Sequence, residues 1–224
     1  EDFSAFVAEL AEALHKESKV LAVRVDEPTQ GQDGAWDTGG YIWEELAQAA
    51  DLLRIPVING ATANGRSIAL MEECLRARVG QINRQKVQLI VSANCTEQVG
   101  NEKRPLVYGD ALSLAGRATV SEGQNMVLPG QMVSVTLPNL ASGLRQESAS
   151  GQSWFSYKDP AGVEHKVWLE NAQSIARKLM LAAQFCLRGV AVEALAGTAN
   201  DARIWDTVRV ARDPSGRGGA RPLT

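Results

Sequence analysis

The stretch FVAELAEALHKESKVLAVRVDEP, residues 6–28, reads as an amphipathic helix that runs straight into a short apolar strand closed by Asp26, Glu27 and Pro28. The same succession returns in YIWEELAQAADLLRIPVING (41–60), in SIALMEECLRARVGQINRQKVQLIVSANCTE (67–97) and in SIARKLMLAAQFCLRGVAVEALAG (174–197). Helices alternating with nearly uninterrupted apolar strands predict a parallel sheet covered by helices, because a strand buried on both faces has no need to alternate apolar with polar residues. The fold class is therefore α/β. Sheets of this kind gather their functional groups at the C-terminal ends of the strands, which directs attention to the residues that close each unit.

Between about residues 100 and 168 the rhythm breaks. MVSVTLPNL (132–140) and SWFSYKDPAGVEHKVWL (153–169) are strand-like, and KDPAG within the second has the turn residues of a hairpin. The expected organisation is a helix–strand region over 1–99, an α+β insertion over 100–168, a final helix and strand over 169–212, and a tail over 213–224 too poor in apolar residues to fold.

Composition excludes several classes. The 224 residues carry a formal net charge of −3 with both signs interspersed, so there is no basic footprint for nucleic acid. No apolar run within these residues approaches the roughly 20 residues of a membrane span and none reads as a signal peptide, while the abrupt start in a helix leaves room for an upstream part carrying either. Cys74, Cys95 and Cys186 have no CxxC spacing and the chain has only two histidines, which speaks for buried thiols and against a zinc site or a full disulfide framework; no cofactor is expected. His15, at a helix C-terminus, suits an interaction with the helix dipole. No GxSxG elbow or strand-to-helix GxGxxG is present.

The residues FVAELAEALHKESKVLAVRV, AADLLRIPVI, KVQLIVSA, RGVAVEALAG and, most of all, WFSYKDPAGVEHKVWLENAQSIARKLMLAAQFCLRGV (154–190) resemble glycoside hydrolase family 18 proteins of the spore cortex-lytic and chitinase-like branch. The resemblance implies a (β/α)8 TIM-barrel-like fold of which only the second half, four strand–helix units, is present, so that a missing barrel half or a homodimer partner would complete it. It further implies a polysaccharide partner containing N-acetylglucosamine, of chitin or peptidoglycan type, and an extracellular or cell-surface setting. The family's acid lies in a DxxDxDxE motif, which this chain does not contain, and catalysis there uses the substrate's own acetamido group. Where the family has a Tyr at the sixth strand and a Trp on the eighth, this chain has Asn59 and Glu193. A degenerate, non-hydrolytic barrel is the expectation, with no catalytic residue of its own. The alternatives are the C-terminal half of an active glycosidase and a structural or protein-interaction module.

Candidate ligand-binding residues are those expected at strand ends: Asp26, Glu27, Asn59, Asn94, Glu97 and Glu193. Carboxylates and amides hydrogen-bond sugar hydroxyls. Trp36, in the loop leaving the first strand, is the candidate stacking platform. Trp43 is expected to anchor its helix, Trp168 to sit in the core of the insertion, and Trp205 to seal the bottom of the sheet.

Overall fold

The computed structural model describes residues 2–58, 67–116, 119–120, 135–148, 150–195 and 200–212. Asn59 and the tail lie outside them. In chain order, α1 (Asp2–Lys16) leads into β1 (Ala22–Arg24), and a small hairpin of β2 (Thr29–Gln30) and β3 (Trp36–Asp37) follows. Then come α2 (Trp43–Ala49), β4 (Leu52–Pro56), α3 (Ser67–Arg78) and β5 (Val87–Ser92). Next are the hairpin β6 (Cys95–Val99) and β7 (Glu102–Leu106), α4 (Tyr108–Leu114), and the paired β8 (Thr119–Val120) and β9 (Val135–Thr136). The chain continues through β10 (Arg145–Gln146), β11 (Ser153–Lys158), β12 (Glu164–Leu169), α5 (Ala172–Gln184), β13 (Gly189–Glu193) and α6 (Arg203–Arg212).

Strands β1, β4, β5 and β13 form a parallel sheet in that spatial order, each hydrogen-bonded to the next. Its register separates two faces. Toward the helices point Val23, Val25, Leu53, Ile55, Val57, Val87, Leu89 and Val91, all buried, against Leu46, Met71, Leu75, Ile175 and Leu181. Each such aliphatic side chain contributes about 1.5–3 kcal/mol on burial. Trp43 is fully buried at the start of α2, as its helical spacing predicts.

The other face departs from the reading of strands buried on both sides. Arg24, Arg54, Gln88, Ser92 and Glu193 share it, mixed with Leu52, Pro56, Ile90 and Ala191. The apolar members of this polar face fill the gaps in the sequence pattern and hide the alternation. Arg54 Nε donates to Gln88 Oε1 at 2.9 Å, and Arg24 Nη1 donates to Glu193 Oε1 at 2.7 Å. The latter pair joins the two edge strands. Laid flat, those edges would stand about 14 Å apart, so long side chains and a marked curl of the sheet together make the contact.

The insertion begins earlier than residue 100. β6 leaves β5 almost at once and belongs to a second, antiparallel sheet ordered β10-β11-β12-β6-β7. Cys95 points into the core of that sheet with Phe155, Val167, Leu169 and Ala111 of α4. The alternation of Cys95, Glu97 and Val99, with a turn at Gly100 (φ 57°), makes a hairpin where sequence suggested only a strand-end cap. Glycine tolerates such a φ without the strain a Cβ brings.

One further expectation is corrected and one is extended. Trp205 is 53% exposed and seals nothing; its neighbour Ile204 is the buried residue of α6, since one residue turns a helix by about 100°. His15 meets a carboxylate as well as the helix end: its Nε2 lies 2.9 Å from Asp51 Oδ2. Asp51 also accepts the Leu21 N–H at 2.7 Å, and these two bonds, the backbone one first, hold its carboxyl below the ordinary value.

Candidate functional site

Where the curled sheet meets the insertion, a cleft of about 410 Å³ is lined by Arg24, Glu27, Ser92, Asn94, Thr96, Lys103, Pro105 and Glu193, among others. Two groups of elements build it. The ends of β1, β5 and β13 supply the floor, and the β6–β7 hairpin supplies a wall. Arg24 and Glu193 bridge the floor, and Glu27 Oε1 stands 3.9 Å from Lys103 Nζ on the wall. The Asn94 N–H donates to Ser92 Oγ at 3.1 Å, which fixes the turn from β5 into the hairpin.

The structure thus gathers Glu27, Asn94 and Glu193 in one cleft, and it places Asp26, Trp36 and Glu97 elsewhere. Asp26 is exposed beside the loop before α2, where a Cβ on Gly39 would meet its Oδ2 at 3.2 Å. The Trp36 ring is half-buried against the main core, and its carbonyl accepts from Arg78 Nη2 at 3.0 Å at the end of α3. It does not line the cleft. Asn59 lies outside the described residues.

Glu97 is drawn inside the insertion. Its carboxylate is fully buried and accepts from Arg104 Nε, from Tyr157 Oη at 2.5 Å and pairs with His165 Nδ1 at 2.7 Å. Burial alone would raise its pKa; the hydrogen bonds from Arg104, Tyr157 and His165 overcome that and hold it below the ordinary value. Burial and the same carboxylate push the Tyr157 phenol up to about 12. The Tyr157 and His165 rings stack at 4.7 Å, and His165 Nε2 lies 3.5 Å from Asp159 Oδ2. This arrangement ties β6, β7, β11 and β12 together and leaves Glu97 no room to meet a ligand.

Arg24, Lys103 and Thr96 are cleft residues that the sequence reading passed over. Arg24 carried a signal: a charged side chain inside the apolar run Ala22–Val25 must find a partner or water. Lys103 and Thr96 gave none, because their place depends on a hairpin that resembles ordinary strand-end polarity. Chemically the cleft offers carboxylate, amide and hydroxyl acceptors beside guanidinium and ammonium donors, a set suited to vicinal hydroxyls and amides.

No protein-family model matches the chain. Mouse di-N-acetylchitobiase is 30% identical over 73 residues, which is 33% of this chain and 20% of that protein. Among solved structures, a chitinase from Chromobacterium violaceum superposes with a TM-score of 0.67 at 24% identity, covering 94% of this chain and 61% of the other. The spore cortex-lytic enzyme SleL of Bacillus megaterium gives 0.58 at 16% identity, covering 92% and 44%. The chain spans less than two thirds of the length of each of these proteins. In fold it is an α/β protein with a helix-covered parallel sheet, and what it resembles is glycoside hydrolase family 18, the chitinases and spore cortex-lytic enzymes.

Proposed function

We propose that this chain is the second half of a family 18-like barrel and that its strand-end cleft binds N-acetylglucosamine-containing glycan without hydrolysing it. Four parallel strands in sequential order, curled so that edge residues Arg24 and Glu193 meet, have the form of half an eight-stranded barrel. Glu27, Asn94 and Glu193 are the proposed ligand contacts, with Arg24 and Lys103 as donors beside them.

The observation that carries the non-hydrolytic reading is the surroundings of the two cleft carboxylates. Each faces a cation, Glu193 with Arg24 and Glu27 with Lys103, and both are partly exposed. A glycosidic general acid needs a desolvated carboxyl whose proton is retained near neutral pH. Glu27 and Glu193 are both partly exposed rather than desolvated, and the DxxDxDxE sequence does not occur in the chain.

Incubation with insoluble chitin and with peptidoglycan tests both parts at once. The expected result is depletion of the protein from solution with no reducing sugar released. Sugar release would overturn the non-hydrolytic reading, and failure to bind either polymer would overturn the glycan reading.

A further inference from the structure

The antiparallel sheet of the insertion has a second face, opposite the one that holds Glu97 and Phe155. One rung across it can be followed through the register: Pro105 opposite Thr96, Thr96 opposite Trp168, Trp168 opposite Trp154, and Trp154 opposite Arg145. Its first two members are walls of the strand-end cleft. Strand spacing puts the far end roughly 14 Å from Thr96, so the rung is a track leading out of the cleft.

Along this track two cations converge on one indole. Lys166 Nζ lies 4.0 Å from the ring centroid of Trp154 and 4.5 Å from that of Trp168, and the Arg145 guanidinium carbon lies 5.4 Å from the centroid of Trp154. Neither cation makes an ion pair among the described residues; Glu147 and Glu164 act on Lys166 only through their field. Burial, aided by Arg145, lowers the Lys166 ammonium from its ordinary value. The indole faces and the fields of Glu147 and Glu164 supply countercharge, yet no carboxylate oxygen bonds either cation among the described residues.

A second, independent observation points the same way. Trp168 is 2% exposed, and its buried Nε1 has no hydrogen-bond partner among the described residues. A buried N–H without an acceptor costs about 1–3 kcal/mol, a loss that an anionic acceptor would recover. Lys166, Arg145 and the Trp168 indole are three donor groups on one sheet face; of them Arg145 Nε alone meets an acceptor, the Ser142 carbonyl at 3.4 Å, and Gln98, opposite Lys166, keeps its Oε1 without a donor among the described residues.

We infer that this face is a carboxylate-binding site, formed by Lys166, Arg145 and the Trp168 N–H, for an acidic substituent on a glycan seated in the neighbouring cleft. Charge-assisted bonds of this kind are the strong ones and discriminate a carboxylate from a hydroxyl. The site would favour a glycan bearing lactyl or peptide carboxylates over neutral chitin. The choice of a glycan rests on the proposed function; the anion site itself rests on the three donors.

The test uses two sugars that differ by a lactyl ether carrying one carboxylate, N-acetylmuramic acid and N-acetylglucosamine, titrated into the full chain while the indole N–H resonances are followed. Trp168→Phe identifies the signal of Trp168. N-acetylmuramic acid is expected to shift it and N-acetylglucosamine to leave it in place. Lys166→Gln and Arg145→Gln should each weaken N-acetylmuramic acid binding on the order of tenfold, with raised salt acting in the same direction. Equal response to both sugars, no response to either, or affinity unchanged in both variants would overturn the site. A carboxylate-dependent shift in a protein that binds neither polymer would keep the site and overturn the glycan reading instead.

Discussion

Glu97 shows how a residue's role is decided by partners distant in sequence. At the end of an apolar strand it reads as an exposed cap, yet Arg104, Tyr157 and His165, the last 68 positions away, enclose it. Its folded pKa lies below the unfolded value near 4.3. The stability it contributes is therefore present above about pH 4 and lost as pH falls through the folded pKa. Glu97→Gln should cost about 1–3 kcal/mol at neutral pH and flatten the acid limb of a plot of denaturation midpoint against pH. An unchanged limb would remove Glu97 from the acid response. The buried pair Lys178–Glu170, 2.5 Å apart and each 1% exposed, gives a second residue-scale prediction. Lys178→Met leaves Glu170 buried without its main countercharge, although Gln152 and Ser174 still donate to it. A loss of about 3–5 kcal/mol is expected in urea titration. Replacing both partners by apolar residues should restore much of it.

Among elements, those set by local pattern were legible and those set by pairing were not. The helix-then-strand succession read in 67–97 and in 174–197 is present as α3 followed by β5 and as α5 followed by β13. The β6–β7 hairpin and helix α4 were missed because Glu97, Lys103 and Arg104 look like loop polarity until the register pairs them. Of the site, Glu27, Asn94 and Glu193 were legible from strand ends alone. Arg24 becomes a cleft residue only through the curl that brings β1 to β13. Long-range capping is likewise invisible in sequence. Lys86 Nζ donates to the carbonyls of Ala47, Gln48 and Ala50, closing the C-terminal end of α2 from just before β5. Removing it in Lys86→Met should cost about 1–2 kcal/mol, from the lost bonds and the lost cation at the helix end. A midpoint within error of wild type would show that water replaces the ammonium without loss. Asn171 caps α5 in a capping box with Ser174, and Asn171→Ala should cost about 1 kcal/mol by the same measurement.

At the scale of the molecule, the curled sheet ends in β1 and β13, which pair with no further strand among the described residues. Beside β13, Val190, Val192, Leu179 and Val208 line a groove of about 460 Å³. Half of a barrel, as proposed above, would expose such edges and grooves. The isolated chain should therefore sediment as a dimer or larger species, or bind a hydrophobic dye; a dye-silent monomer would favour a self-sufficient open sheet. On the proposed function, the cleft between Glu27, Asn94 and Glu193 holds glycan. Its most direct test is calorimetric titration of an N-acetylglucosamine tetramer into the chain and into Glu193→Ala. The exposed Arg24–Glu193 pair is worth under about 1 kcal/mol to folding, so the variant should stay folded. Binding by the wild type, weakened on the order of tenfold in the variant through loss of a charged hydrogen-bonding partner, is the predicted result. No heat from the wild type, or equal affinity in both proteins, would contradict the account.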